Sequence, residues 1–469
     1  MLMLLLIGVF IVEGQGYRIP QVTVQALKPR GLRVSIPDEP GVQLFAVNAN
    51  VNKPIKVPES GLISRDTIHP KDGHWVIEVP QTRLKVGDTI NYWVYVQADG
   101  QQFSSEGLAT RITALVDPKQ PVSPVGPTKP TCKNTITTVN GKSSCQGKLI
   151  FEDTFDDLSS SKWKHDIQFP EYPNFEFVVY SNNEQNSFVA GGRLHVKPTL
   201  LSDSGININS GTLELDGCTQ EQGSYQCSRS GSGWNILPPI QSARLTTKQA
   251  FSFRYGRIEI QAKVPAGDWI FPEIWLEPKS NVYGTKPLES GRIQLVLVRG
   301  NSNLEAGGRD IGSRHLEVGC MIGIHNSVHN EMFGIDGADS WSDAFHTYAI
   351  SWTPDHVTFS VDGREIGNMV PPHDGFKTLP EFTKLQSIPW TRGTKIAPFD
   401  QEFYLSIGLG VGGFNQFPDN SNSNNHRKPW RDRDPKAMLM FWRDKDNWYP
   451  TWKDEASALQ VEHIKVWAL

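Results

Sequence analysis

Residues 251–268 read FSFRYGRIEIQAKVPAGD, an aromatic and β-branched run that ends at a turn-forming breaker. Similar runs recur further along, at 292–300 (RIQLVLVRG), 345–353 (FHTYAISWT), 356–363 (HVTFSVDG), 402–413 (EFYLSIGLGVGG) and 459–469 (LQVEHIKVWAL). Such runs, separated by turn residues, are typical of strands. No glycine-rich nucleotide-binding loop is found between a strand and a helix. We therefore expect an all-β domain here, a concanavalin A-like β-jelly roll of two curved sheets.

The N-terminal part of the chain has the same character on a smaller scale. Residues 17–117 contain strand-like runs with turn residues between them, among them LRVSI (32–36), HWVIEV (74–79) and INYWVYV (90–96). Short strands at this density predict an immunoglobulin-like β-sandwich.

A proline-rich segment, residues 118–131, separates the two parts. Its prolines stand at every third position, Pro118, Pro121, Pro124, Pro127 and Pro130. Because polyproline II has three residues per turn, the spacing favours a semi-rigid spacer. A disordered linker would give the same boundary, with the larger domain at 132–469.

The first residues indicate the compartment. Residues 2–12 form one apolar run of signal-peptide length, and Gly14 and Gly16 precede a cut before Tyr17. A positive n-region is missing, and the alternative reading is a buried strand. No other run reaches the length of a membrane span. We expect a signal peptide at 1–16 and a secreted, extracellular protein.

Five cysteines fit an oxidising compartment. Cys132 lies close to Cys145 in sequence, and Cys218 lies close to Cys227, so local pairing is the simplest connectivity. Cys320 is left over, either as a buried thiol or as one end of an intermolecular bridge.

The overall charge excludes one class of partner. Lys and Arg number 46 against 50 for Asp and Glu, a net charge of −4. A nucleic-acid binder would show a basic excess, so we expect no nucleic-acid partner.

Two long stretches resemble known families. Residues 236–278, with SGRIQLVLVRGN at 290–301 and LGVGGFNQFPD at 409–419, closely resemble the laminarinase-like glycoside hydrolase family 16 domain. Residues 17–48 resemble the glucan-binding module of arthropod β-1,3-glucan recognition proteins, also called Gram-negative bacteria-binding proteins. The order of signal, small sandwich, linker and large sandwich is that of this second family.

The resemblance assigns the catalytic strand to residues 292–297, RIQLVL, after Ser290 and Gly291. Family 16 enzymes carry E-I-D-I-V-E or a close variant there, with a bulge that turns the last Glu to the face of the first. Arg292 stands at the nucleophile position, Gln294 at the assisting position and Leu297 at the acid/base position. Retaining hydrolysis needs two carboxylates about 5 Å apart. The resemblance therefore implies a homologue without catalysis, in which Arg292 favours an anionic ligand or merely fills space.

Glycan-binding residues of the larger domain are also assigned by the resemblance. Trp269, Phe271 and Trp275 match aromatic residues that line sugar subsites in similar enzymes, where a ring face packs against a pyranose. Arg299 and Asn301 follow the degenerate strand and are included as glycan contacts. Some of the rings, Trp275 in particular, could belong to the core instead.

In the N-terminal module the resemblance assigns glucan binding to an exposed sheet face. Arg65 and Asp66 match its Ser-Arg-Asp segment, and Trp75 matches its Gly-x-Trp segment. Asp66 would accept glucose hydroxyls, Trp75 would stack, and Arg65 would contact the sugar or hold Asp66 by a bidentate pair. An aromatic residue common in relatives is missing at 61–63, GLI.

Taken together, the family implies a secreted haemolymph protein of innate immunity. Its expected ligands are β-1,3-glucan and other microbial cell-wall glycans, with lipopolysaccharide and lipoteichoic acid as further candidates. Its expected partners are components of serine protease cascades, and we expect no cofactor, metal or membrane span. Two alternatives stay open: an active β-1,3-glucanase, and a lectin-like or structural protein that binds glycan or lipid without glucan signalling.

Overall fold

The computed structural model describes residues 19–118, 132–171, 173–286 and 288–469. The chain divides into two compact units, Met1–Thr131 and Cys132–Leu469. The predicted signal peptide at 1–16 lies outside the described residues, and so does the predicted spacer beyond Pro118.

All the regular secondary-structure elements of residues 19–118 are strands. They are β1 (Thr23–Leu27), β2 (Leu32–Pro37), β3 (Val42–Val51), β4 (Ile63–Thr67), β5 (His74–Val79), β6 (Thr89–Ala98), β7 (Gln101–Arg111) and β8 (Leu115–Val116). Two four-stranded sheets result, ordered β5-β2-β1-β8 and β4-β3-β6-β7. Alternate residues of both sheets meet in one core that includes Ile36, Phe45, Val47 and Val94. The predicted sandwich is thus confirmed.

The larger unit is also built mainly of strands. In chain order these are β9 (Asn134–Val139), β10 (Lys142–Cys145), β11 (Leu149–Asp153), β12 (Lys164–His165), β13 (Val178–Tyr180), β14 (Ser187–Val189), β15 (Leu194–Val196), β16 (Thr199–Leu200), β17 (Thr212–Glu214), β18 (Ser228–Ser230), β19 (Ile240–Ser242), β20 (Arg244–Thr246), β21 (Phe253–Arg254), β22 (Gly256–Lys263), β23 (Ile270–Pro278), β24 (Arg292–Val298), β25 (Leu304–Ala306), β26 (Arg309–Asp310), β27 (His315–Ile324), β28 (Ser327–Asp336), β29 (His346–Trp352), β30 (Val357–Val361), β31 (Arg364–Met369), β32 (Phe403–Val411), β33 (Asn422–Ser423), β34 (His426–Arg427) and β35 (Leu459–Trp467).

Helices are short in this unit. The α-helices of the described residues are α1 (Ala437–Arg443) and α2 (Lys445–Trp448), and single 3-10 turns lie at Leu201–Ser204, Phe376–Thr378, Pro389–Arg392, Tyr449–Thr451 and Asp454–Ser457. Within the part of the chain that the structure describes, no helix is long and apolar enough to cross a membrane.

Two large sheets dominate the larger unit. A ten-stranded sheet runs β10-β9-β21-β32-β23-β24-β27-β28, with β20 and β12 added beside β32, and an eight-stranded sheet runs β14-β15-β35-β22-β29-β30-β31, with β11 beside β35. In β22 the residues Ile258, Ile260 and Ala262 are buried, and the polar residues between them are not. Side chains from both sheets form one apolar core, which confirms the all-β jelly roll.

The cysteine predictions are confirmed within this unit. Cys132 is bonded to Cys145 and Cys218 to Cys227. Cys320 lies on β27 as a buried free thiol.

Candidate functional site

Strand β24 carries the three positions at which the resemblance places catalytic carboxylates. Gln294 pairs with Gly319 of β27, and Leu297 pairs with Glu317, so the register shifts by one residue between these two pairs. This shift is the predicted bulge. Gln294 and Leu297 line one cavity, and Arg292 lines a second cavity of the same unit.

Arg292 is held by a carboxylate and an aromatic ring. Its Nη2 lies 2.8 Å from Glu277 Oε1, and its guanidinium lies 4.0 Å from the ring centroid of Trp275. Tyr404 donates its hydroxyl to Glu277 Oε2 at 2.9 Å. Burial acts to raise the pKa of Glu277, but Arg292 and Arg244 outweigh it and hold the pKa below its ordinary value. Glu277 is therefore ionised and forms an ion pair with Arg292.

The position of Trp275 corrects the expectation that its ring stacks on a sugar. The residue is 2% exposed, and Arg244 also lies over the ring, 5.2 Å from its centroid. Its indole Nε1 is buried without a hydrogen-bond partner in the structure. A ring with a guanidinium over it offers no open face to a pyranose, because the cation occupies the same negative π surface.

A second buried carboxylate, Glu273, lies four residues before Glu277 on β23. Arg244 Nη2 donates to Glu273 Oε1 and Oε2 at 2.9 and 3.0 Å, and Tyr180 donates its hydroxyl to Oε2 at 2.8 Å. Burial raises the pKa of Glu273 to about 7, although Arg244 acts to lower it. Glu273 was not among the predicted site residues. Glu273 is the only acidic residue within the apolar run WIFPEIWL (269–276), and this isolated acid in a buried strand was the feature from which it could have been predicted.

Trp269, Phe271 and Asn301 do not line the cleft as the resemblance implied. Both rings are buried, and Trp269 packs edge-on against Phe417 and Trp430 with centroids 5.2 and 5.1 Å apart. The side chain of Asn301 accepts the backbone N–H of Trp269. These residues are structural because they join the ends of neighbouring strands in the core.

Arg299 faces the cavity that Gln294 and Leu297 line. Its Nη1 lies 2.6 Å from Glu317 Oε2, and Met321 and Phe414 lie nearby in the same lining. Glu317 is the one carboxylate among the described residues that line this cavity. A retaining hydrolase needs a pair.

In the N-terminal unit, β4 presents Arg65 and Asp66 at a sheet edge, and both are exposed. Arg65 Nη1 donates to the carbonyl oxygen of Ser64 at 2.8 Å. Of the two roles considered for Arg65, the bidentate pair with Asp66 is not found, because successive strand residues point to opposite faces. The carboxylate of Asp66 has no ion-pair or hydrogen-bond partner among residues 19–118.

Trp75 is a core residue, which corrects its predicted role on an exposed face. It is 2% exposed, and its Nε1 donates to Asp38 Oδ1 at 2.8 Å. On β5 the alternation turns Trp75 and Ile77 inward and leaves Glu78 outside. Trp75 therefore packs in the core of the sandwich.

Two aromatic residues that the sequence analysis missed lie on the face that carries Asp66. Ala46 of β3 pairs with Asp66 on one side and Tyr95 on the other, and Asn48 pairs with Ser64 and Trp93 in the next row. Tyr95 and Trp93 are partly exposed. The alternation in INYWVYV could have predicted their position, because it turns Tyr92 and Val94 into the core and therefore Trp93 and Tyr95 outward.

Curated relatives match nearly the whole chain, and two family models match parts of it. Residues 18–138 match the family described as "Carbohydrate binding domain (family 32)", and residues 325–394 match "Glycosyl hydrolases family 16". A β-1,3-glucan-binding protein of Hyphantria cunea is 38% identical, over 97% of this chain and 96% of that protein. One of Tenebrio molitor is 34% identical over the same shares. Gram-negative bacteria-binding protein 3 of Drosophila melanogaster is 32% identical, over 100% of this chain and 97% of that protein.

Proposed function

The chain belongs to the β-1,3-glucan-binding protein family, and from that premise we propose that it recognises microbial β-1,3-glucan without hydrolysing it. The N-terminal unit would bind the glucan. The family 16-like unit would keep the fold of a hydrolase while lacking its chemistry.

One observation carries the binding proposal: an unpartnered carboxylate and two aromatic rings lie on the same sheet face. Asp66 and Tyr95 lie two strand spacings apart, about 10 Å, with the small side chain of Ala46 between them. Trp93 and Ser64 continue the face in the next row. A ring face packs against the C–H face of a pyranose, and a carboxylate accepts its hydroxyls. This face therefore suits an extended neutral polysaccharide.

The cleft of the larger unit supports the second half of the proposal. Arg292 is a permanent cation and cannot attack an anomeric carbon. Leu297 has no proton to give to a leaving oxygen. The nearby acids Glu277 and Glu317 are each bound to an arginine. General-acid and nucleophilic catalysis are thus both without a candidate at these positions.

We also propose secretion into the haemolymph, which the two disulfides support. Transfer of the signal to a serine protease cascade remains a prediction from the family.

A pull-down on insoluble β-1,3-glucan tests the binding face. We expect the full chain to bind, and Asp66→Ala and Tyr95→Ala each to reduce the bound fraction several-fold. Arg83→Ala, at an exposed loop residue of the same unit, is the matched control and should bind like wild type. Failure of the wild-type chain to bind would favour the lectin-like alternative. Equal binding by all four proteins would remove this face as the site.

A further inference from the structure

The cavity that Arg292 lines has its aromatic rings covered by cations. It measures about 580 Å³ and is bordered by β12, β20, β23, β24 and β32. Arg292 and Arg244 lie over Trp275, and Lys248 Nζ lies 5.6 Å from the ring centroid of Tyr404. A neutral pyranose that enters this cavity therefore meets guanidinium and ammonium groups where a sugar subsite would offer ring faces.

Three lysines border the same cavity outside the ion pairs described above. Lys164 pairs with Thr246 of β20, Lys248 follows that strand, and Lys279 follows β23. Lys164 and Lys248 are exposed, and Lys279 is partly exposed. None of the three forms an ion pair within the described parts of the chain.

The carboxylates of the cavity, in contrast, are already engaged. Glu277 is bound by Arg292. Asp166 accepts the hydroxyl of Thr219 at 2.7 Å and lies 3.6 Å from Arg244, Glu171 lies 3.9 Å from Arg229, and Glu176 accepts the side-chain amide of Asn174 at 3.1 Å. Among the described residues Glu176 has no ion-pair partner, and Arg244 is shared between Asp166 and Glu273, but three lysines stand against them, so the unpaired charges at this cavity are cationic in excess.

We propose that this cavity binds an anionic saccharide, one that carries a phosphate or a carboxylate group. The ammonium groups of Lys164, Lys248 and Lys279 would meet the anion, and the unpartnered buried Nε1 of Trp275 supplies a donor for a sugar oxygen. Partly solvated cations favour an anion at a modest gain per contact, so several must act together. This site is separate from the glucan face of residues 19–118.

Calorimetric titration of the full chain tests the ligand class. The probes are a β-1,3-gluco-oligosaccharide, the same oligosaccharide with one 6-phosphate, its counterpart with one glucuronate residue, and inorganic phosphate. We expect the two anionic saccharides to bind about tenfold more tightly than the neutral one at low salt, and the difference to shrink at high salt. The phosphate and glucuronate arms identify the preferred anion. Equal affinity for neutral and anionic saccharides would overturn the proposal, as would inorganic phosphate binding as tightly as either.

Lysine variants locate the site. Lys164→Gln and Lys248→Gln should each weaken binding of the better anionic saccharide by about two- to fivefold, and the double variant by more. Lys384→Gln, at an exposed lysine outside the cavity, is the matched control and should change nothing. If Lys384→Gln has the same effect as the cavity variants, the proposal fails. Pull-down on neutral insoluble glucan should be unchanged in all of them, so failure of glucan binding itself would be seen separately.

Discussion

Arg292 keeps its charge inside the larger unit because Glu277 and the ring of Trp275 replace the water that its guanidinium loses. The two charged side chains are 17% and 15% exposed, so each depends on the other for solvation. A charge left alone at such a site is costly, whereas an apolar pair of similar volume is tolerated. The ion pair therefore explains why an arginine can occupy this strand.

Removing only the arginine should be more harmful than removing both charges. We expect Arg292→Met to lower the free energy of unfolding by about 3 kcal/mol at pH 7, because Glu277 is left unpaired. Arg292→Met/Glu277→Met should recover most of that loss. Urea unfolding followed by tryptophan fluorescence measures both, since most tryptophans lie in residues 132–469.

The difference in unfolding free energy between wild type and Arg292→Met should depend on pH. The pKa of Glu277 in the folded wild type lies below its ordinary value of 4.5, so its contribution to stability is complete above pH 4.5 and is lost as the pH falls through the folded pKa. Without Arg292 the pKa of Glu277 would be higher than in wild type, because burial would be opposed only by Arg244, Lys248 and the Tyr404 hydroxyl. The single variant should therefore lose less stability than wild type as the pH falls. The gap between wild type and Arg292→Met must therefore narrow in acid. A gap of constant size, or a double variant as unstable as the single one, would contradict this account.

For single residues, the sequence predicted which functional groups are present better than it predicted which way the side chains point. Arg292, Gln294 and Leu297 could be read directly, because the absence of carboxylates does not depend on packing. Trp75 and Trp275 could not be placed, because a large ring suits a core and a sugar platform equally well. Their burial is decided by which face of β5 and β23 meets a neighbouring layer.

Features formed by residues close together in sequence were easier to predict. The bulge between Gln294 and Leu297 followed from the family motif, and the pairing of Cys132 with Cys145 followed from their separation in sequence. The long pairings could not be predicted. β23 lies between β24 and β32, and β32 begins 125 residues after β23 ends (403 − 278). Such partners are chosen by tertiary packing and not by local pattern.

The hairpin of β9 and β10 gives a prediction at this scale. Cys132→Ala/Cys145→Ala opens a loop with a sequence separation of 13 residues, which should cost about 3 kcal/mol on the chain-entropy model. Because β10 is the outermost strand of its sheet, the loss should appear first as faster amide exchange in β9 and β10. The matched variant Cys218→Ala/Cys227→Ala should speed exchange in β17 and β18 instead. Unchanged exchange in both hairpins would show that the disulfides do not hold them.

At the scale of the whole molecule, the chain combines two compact units with different surfaces. The smaller unit presents an aromatic face with one free carboxylate, and the larger unit presents a cavity bordered by three lysines that form no ion pair with any described residue. The all-β class and the two architectures were predictable from alternation and turn residues. The distribution of binding surfaces was not, because it depends on which charges find partners after folding.

Recognition without hydrolysis is the central claim, and a single assay tests it directly. The purified chain is incubated with soluble β-1,3-glucan, and new reducing ends are measured over many hours beside an active family 16 laminarinase. We predict binding of the glucan with no release of reducing ends above the protein-free blank. A steady release that scales with protein concentration would contradict the account, since it would require a pair of catalytic acids where the strand carries Arg292 and Leu297.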